Sequence, residues 1–143
     1  MIKRKFKNIL VVVGGNSGER EVSLASGKAC SKALKKKKYN VSIFDPKFKN
    51  LSLINKLETD AIFNALHGKG GEDGIAQSYF EYLKIPYTHS GVVSSYNAMN
   101  KIISKDIFTK SKILTPKYFS LTKKESNNQT LKELVVKKKL VFL

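Results

Sequence analysis

An α/β fold built on a parallel sheet is predicted by three features of this sequence. Two short apolar runs, Ile9 to Val13 and Ala61 to Leu66, each lead into a glycine-rich loop, Gly14-Gly15-Asn16-Ser17-Gly18 and His67-Gly68-Lys69-Gly70-Gly71. Each loop opens into an amphipathic stretch, and strand-like and helix-like segments alternate along the first ninety or so residues. Strands that are apolar on both faces are those that helices cover in a parallel sheet. In open sheets of this kind ligands settle beyond the carboxyl ends of the strands, so both loops are expected at one edge, around one small-molecule site.

The elements follow in order. The first strand covers 8–13. A helix over about 21–37 carries small apolar residues at Val22, Ala25, Ala29 and Ala33 beside Cys30 and Leu34, and this face is expected to lie against the sheet. A second strand at 40–44, a short helix at 50–57 and the third strand at 61–66 come next. The helix predicted over 74–84 has Asp73 as its natural N-cap, Ile75, Tyr79, Phe80 and Leu83 on its apolar face, and Pro86 at its exit into a short strand, 85–88. The whole reads as a Rossmann-like parallel sheet flanked by helices. Beyond Gly91 the pattern changes to a helix over about 94–111, the segment Pro116 to Leu121, a polar loop at 123–130, a short helix at 129–136 and Leu140-Val141-Phe142-Leu143. Those last four resemble the beginning of a buried strand, so the sequence reads as interrupted there.

Composition bounds the function. The 143 residues suffice for one α/β core with the start of another, and with 41% hydrophobic residues the chain reads as globular and soluble. No apolar run approaches the ~18 residues of a membrane helix. The basic N-terminus runs into an apolar stretch too short for a signal peptide, so a cytoplasmic setting is expected. Cys30 is the single cysteine; it reads as a small buried hydrophobe, and no disulfide is possible. The net charge of +16 raises the question of nucleic acid, but of 27 basic residues only Arg4 and Arg20 are arginine. Bidentate recognition of phosphates and bases favours arginine, so the lysines read as solvated surface, with no specific nucleic-acid partner.

The loops carry the chemistry. A glycine-rich turn opening a helix offers backbone N–H groups and a positive dipole end to phosphate or carboxylate. The first loop does not match G-x-G-x-x-G, although Asp45 after the second strand mimics a ribose-binding acid, which leaves dinucleotide binding as an alternative. Glu19 and Glu21 read either as first-turn acids or, for Glu21, as the receiver of a substrate ammonium. His67, at a strand end, is either structural or a hydrogen-bond donor to a carboxylate. His89 reads as structural, and no spacing of His, Cys or carboxylates suggests a metal site.

Taken together, Gly14-Gly15-x-Ser17-x-Glu19-Arg20-Glu21-Val22-Ser23-Leu24, Ala65-Leu66-His67-Gly68-Lys69-Gly70-Gly71-Glu72-Asp73-Gly74, Ile85-Pro86-Tyr87-Thr88-x-Ser90-Gly91 and Met99-Asn100-Lys101 with Ser104-Lys105 resemble the N-terminal part of the D-alanine:D-alanine ligases. The likeness runs to about Leu121. That family of ATP-grasp enzymes activates one D-alanine as an acyl phosphate, which the amine of a second attacks, giving the dipeptide used for peptidoglycan. By resemblance Glu21 holds the ammonium of the first D-alanine and orients the active-site hydrogen bonds, His67 lies near its carboxylate, and Lys101 contacts ATP phosphate. Asn100 stands where the family usually has aspartate. The resemblance implies a pre-ATP-grasp domain over 1–92 and an incomplete ATP-grasp segment over 93–143. It implies ATP and Mg2+ or Mn2+ as cofactors, with the metal ligands lying outside this chain, and a possible homodimer. The chain by itself is then expected to be inactive. A ligase with D-lactate or D-serine as second substrate fits these residues equally. A reading of another class is a freestanding Rossmann-like module that binds a small amino acid or nucleotide without catalysis.

Overall fold

The computed structural model describes residues 6–118 and 120. The helix expected at 129–136, the polar loop before it and the strand expected at 140–143 lie outside the described residues. Three parallel strands, β1 (Asn8–Val12), β2 (Asn40–Phe44) and β3 (Ala61–Asn64), form a sheet in the order β2-β1-β3. The helices are α1 (Arg20–Lys36), α2 (Ile75–Tyr82), α3 (Val92–Met99) and α4 (Lys101–Lys110), with a 3₁₀ turn at Leu51–Lys56. The predicted α/β class and its parallel sheet are therefore observed.

β1 is central and buried on both faces, and its side chains alternate between two apolar layers. Leu10 and Val12 pack with Phe44, Ile54, Ile62, Leu66, Ala76 and Phe80 beneath α2 and the 3₁₀ turn. Ile9, Val11 and Val13 pack with Ala65, Leu24 and Leu34 beneath α1. Leu10, Phe44, Ile54, Ile62 and Phe80 are at most 2% exposed, and burial of each such side chain contributes about 1.5–3 kcal/mol. Large apolar side chains thus hold the α2 layer.

The α1 layer is held differently, and of the expected face only Leu34 packs against the sheet core. Val22, Ala25, Ala29 and Ala33 are exposed, Cys30 is half-buried, and the residues against the sheet are Ser23, Gly27 and Ser31, one turn apart. A Cβ added at Gly27 would collide with Val13 Cγ1. The helix comes so close to the sheet at Gly27 that small side chains occupy the contact beside Leu24 and Leu34.

Side chains that bond to backbone account for the other differences. β3 ends at Asn64 instead of Leu66 because the buried Asn64 amide takes over there, donating to Gly71 O (3.0 Å) and accepting from Leu66 N–H (3.2 Å). The strand expected at 85–88 is reduced to one bridge between Ile62 and Tyr87. Pro86 has no N–H to continue it, and the Asn64 N–H turns to Thr88 Oγ1 (3.0 Å). The N-cap of α2 is Gly74, at φ 92°, with Asp73 one residue earlier accepting from Ile75 N–H; Ile75 itself is 56% exposed. The single helix expected over 94–111 is two, α3 and α4. Asn100, with ψ 102°, ends the first, and its Oδ1 accepts from Ile102 and Ile103 N–H (3.2 Å each) to start the second.

Two compact units meet along the chain between Ser104 and Lys105. Within the second, Lys105 Nζ donates to Thr115 Oγ1 and Pro116 O (2.9 Å each), and Tyr118 donates to Asp106.

The β1 loop is fixed by a latch. Arg20, the first residue of α1, meets Asp45 with two hydrogen bonds (Nη2–Oδ2 2.7 Å, Nη1–Oδ1 3.1 Å) and donates to Gly15 O. Asp45 Oδ1 also accepts from the N–H groups of Gly15 and Lys47. A Cβ at Gly14, whose φ is 77°, would press into this pair. Burial pushes the Asp45 carboxyl upward, but Arg20 and the amides of Lys47 and Gly15 outweigh it and hold the group below the usual carboxylate range. A folded-state value below the unfolded one gives stability that is present above the ordinary carboxylate value of about 3.9 and lost as pH falls through the folded value.

Asp45→Asn is therefore expected to lower the melting temperature at neutral pH, with the gap from wild type closing as pH falls below about 4. A gap that stays constant through the acid range would contradict the latch. Gly27→Ala is expected to lower the urea midpoint, because overpacking of ~1–3 kcal/mol exceeds the helix-propensity gain of ~1 kcal/mol. A raised midpoint would show that Val13 yields without cost.

Candidate functional site

With β1 flanked by β2 on one side and β3 on the other, the chain winds both ways from β1. The crevice this creates lies beyond the carboxyl ends of β1 and β3. Both glycine-rich loops meet there. Ser23 Oγ, fully buried, accepts from Gly14 N–H (2.7 Å) and donates to Ala65 O (2.6 Å). Ser17 Oγ donates to His67 O (2.6 Å). The loop after β1 and the loop after β3 are joined into one body.

Five of their glycine amides are occupied from within. Gly14 N–H goes to Ser23 and Gly15 N–H to Asp45. In the second loop Gly68 N–H donates to Glu72 Oε2 (2.9 Å), Gly70 N–H to Asp73 Oδ2 (2.8 Å) and Gly71 N–H to Gly68 O (3.1 Å). These amides therefore do not form the open cradle for phosphate or carboxylate expected from the glycines. Asp45, with Oδ1 and Oδ2 both engaged, is likewise not free to take a ribose.

A cavity of about 460 Å³ opens beside the β3 loop, lined by Ser26, His67, Glu72, Gln77, Ser94 and Lys101 among others. His67 Nε2 lies 3.3 Å from Ser26 Oγ, and Nδ1 lies 3.6 Å from Glu72 Oε1. Gln77, at 1% exposure, donates to Gly71 O (2.8 Å) and has no partner for Oε1. Lys101 opens α4, and its Nζ lies 3.4 Å from Ala98 O. His67 and Lys101 thus share one cavity. Glu21 does not line it; this residue stands exposed in the first turn of α1. His89 is structural in its contacts, with Nε2 2.7 Å from Asn64 O.

An imidazole, a carboxylate, an ammonium and several hydroxyls can together hold a small molecule bearing both charges, or a phosphate. Among the described residues no group of three or more His, Cys, Asp or Glu stands together to hold a metal ion, and no helix is long and apolar enough to cross a membrane. Sequence reasoning passed over Ser26, Glu72 and Gln77. The one available signal was Ser26, placed one turn beyond Ser23 on α1; Glu72 and Gln77 acquire their positions from how the loop folds.

Comparison with known proteins agrees with this architecture. The chain is 50% identical over 137 residues to the D-alanine–D-alanine ligase of Pelagibacter ubique, covering 95% of this chain and 44% of that protein. It is 46% identical over 120 residues to the ligase of Cereibacter sphaeroides, covering 79% of this chain and 39% of that one. A crystal structure of the Bacillus anthracis ligase superposes with a TM-score of 0.76 at 39% identity, over 91% of this chain and 42% of its own. The same enzyme complexed with ATP gives 0.76 at 38% identity, over 92% and 44%. No family model matches. The chain spans less than half the length of these relatives. Identity this high over most of the chain, matched by the fold, makes the chain similar to the N-terminal part of the D-alanine–D-alanine ligases.

Proposed function

We propose that this chain holds the first D-alanine in an ATP-dependent D-alanine–D-alanine ligase. The observation that carries the reading is the shared cavity of His67 and Lys101 at the switch point of the sheet, within sequence half-identical to a ligase of that name. In this reading Glu21 receives the substrate ammonium, His67 donates to its carboxylate, and Lys101 meets the phosphate charge that ATP brings. Residues 1–92 form the amino-acid-binding domain, and 93–143 begin the ATP-binding domain. The carboxylate of the first D-alanine attacks the terminal phosphorus of ATP and ADP leaves. The amine of the second D-alanine then displaces phosphate from the acyl phosphate. Such transfers depend on positioning and charge neutralisation, which suits a site made of fixed side chains. Among the described residues no ligand set for magnesium stands together.

Calorimetric titration tests the reading. D-alanine is expected to saturate the chain, and Glu21→Gln to weaken binding at least about tenfold, ~1.4 kcal/mol. His67→Ala is expected to weaken it as well, whereas Lys101→Met leaves D-alanine binding unchanged. The 143-residue chain supplied with ATP, magnesium and D-alanine is expected to form no dipeptide, because the family's reaction draws on more than this part of its length. Absence of saturation, or indifference to Glu21→Gln, would overturn the substrate assignment. Dipeptide formation would overturn the requirement for the remainder.

A further inference from the structure

The two histidines of this chain are held by different neighbours, and those neighbours decide where each ring carries its proton. We propose that Glu72 is the positioning residue of His67, fixing the imidazole proton on Nδ1 and leaving Nε2 as the ring atom that meets whatever occupies the cavity. The occupant's identity rests on the ligase reading; the proton assignment does not.

Glu72 is itself pinned. Its Oε2 accepts from Gly68 N–H at 2.9 Å, and its own N–H closes the turn onto Gly68 O at 3.0 Å. Oε1 is thereby directed to the ring, 3.6 Å from Nδ1. A bare nitrogen lone pair facing a carboxylate oxygen at that distance is repelled, whereas an N–H is attracted. On the other side Nε2 lies 3.3 Å from Ser26 Oγ. A hydroxyl either donates or accepts, so Ser26 follows the ring and does not dictate to it. The carboxylate therefore sets the tautomer, as the partner of the second nitrogen does in other oriented imidazoles. In the doubly protonated ring Nε2–H is the donor to a carboxylate occupant, while Nδ1–H stays with Glu72.

His89 supplies an internal control, because its Nε2 lies 2.7 Å from a carbonyl, Asn64 O, which accepts only from N–H. Its neutral ring should carry the proton on Nε2, the opposite of His67.

Long-range ¹⁵N–¹H correlation spectra of the chain, taken at alkaline pH where imidazoles are neutral, distinguish the two forms directly. Wild type should show the Nδ1–H pattern for His67 and the Nε2–H pattern for His89. In Glu72→Gln the single amide oxygen stays with Gly68 N–H and the NH₂ faces the ring, so His67 should invert to Nε2–H while His89 stays as it was. A wild-type His67 protonated on Nε2 would overturn the proposal, and so would a Glu72→Gln variant that retains Nδ1–H. The wild-type spectrum is decisive even if the variant does not fold. Adding D-alanine separates the two ideas: failure to move the His67 signals counts against the ligase reading and leaves the proton assignment standing.

Discussion

One buried hydroxyl organises the functional edge of this protein. Ser23 lies inside the α1–sheet contact and bonds to the backbone on both sides, to the residue leaving β1 and to the residue leaving β3. Without it a buried N–H and a buried C=O would each lack a partner, at about 1–3 kcal/mol apiece. For the hydroxyl to reach both, the helix must lie close to the strands, and that closeness propagates along α1. One turn on, Gly27 meets Val13 with no room for a Cβ, and a further turn on Ser31 is buried. The small residues of α1 are thus consequences of a hydrogen bond at its first turn.

The same economy governs the loops. Glycines give both the shape of a phosphate cradle, yet the amides of Gly14, Gly15, Gly68 and Gly70 are spent on Ser23, Asp45, Glu72 and Asp73. What the loops provide is rigidity. His67 stands on a segment held by Ser17 through its carbonyl and by Glu72 around its ring. A side chain fixed from both ends presents one face to a ligand without the entropy cost of ordering it on binding.

This division between backbone and side chain also explains what was legible in the sequence. β1 could be read because burial on both faces leaves an uninterrupted apolar run, and the two loops because their glycines follow strand ends. His67 and Lys101 could be read because a strand end and a family motif mark them. The inner face of α1 could not: a periodicity argument selects Val22, Ala25, Ala29 and Ala33, and the contact selects for size instead. The end of β3 and the break between α3 and α4 were hidden for a related reason. Asn64 and Asn100 each capture backbone groups with their amides, and whether an asparagine does so depends on which donors the fold brings to it. Glu72 and Gln77 lie in plain view in the sequence, but their partners exist only once the β3 loop has closed.

Charge is distributed with the same logic. The chain carries +16 overall, with 11 acidic residues. Five of those, Glu19, Glu21, Asp45, Glu72 and Asp73, sit in the loops and first helical turn at the carboxyl edge of the sheet. Exposed charges more than about 10 Å away are largely screened at physiological salt, so the distant lysines contribute little to what this edge attracts. Locally, acids stand beside Arg20 and His67. An edge with both signs at short range differs from the simple anion site that the lysine-rich composition alone would suggest. Asp45 pairs with Arg20 while Glu72 and Asp73 accept from loop amides, whereas Glu21, exposed in the first turn of α1, makes none of those bonds.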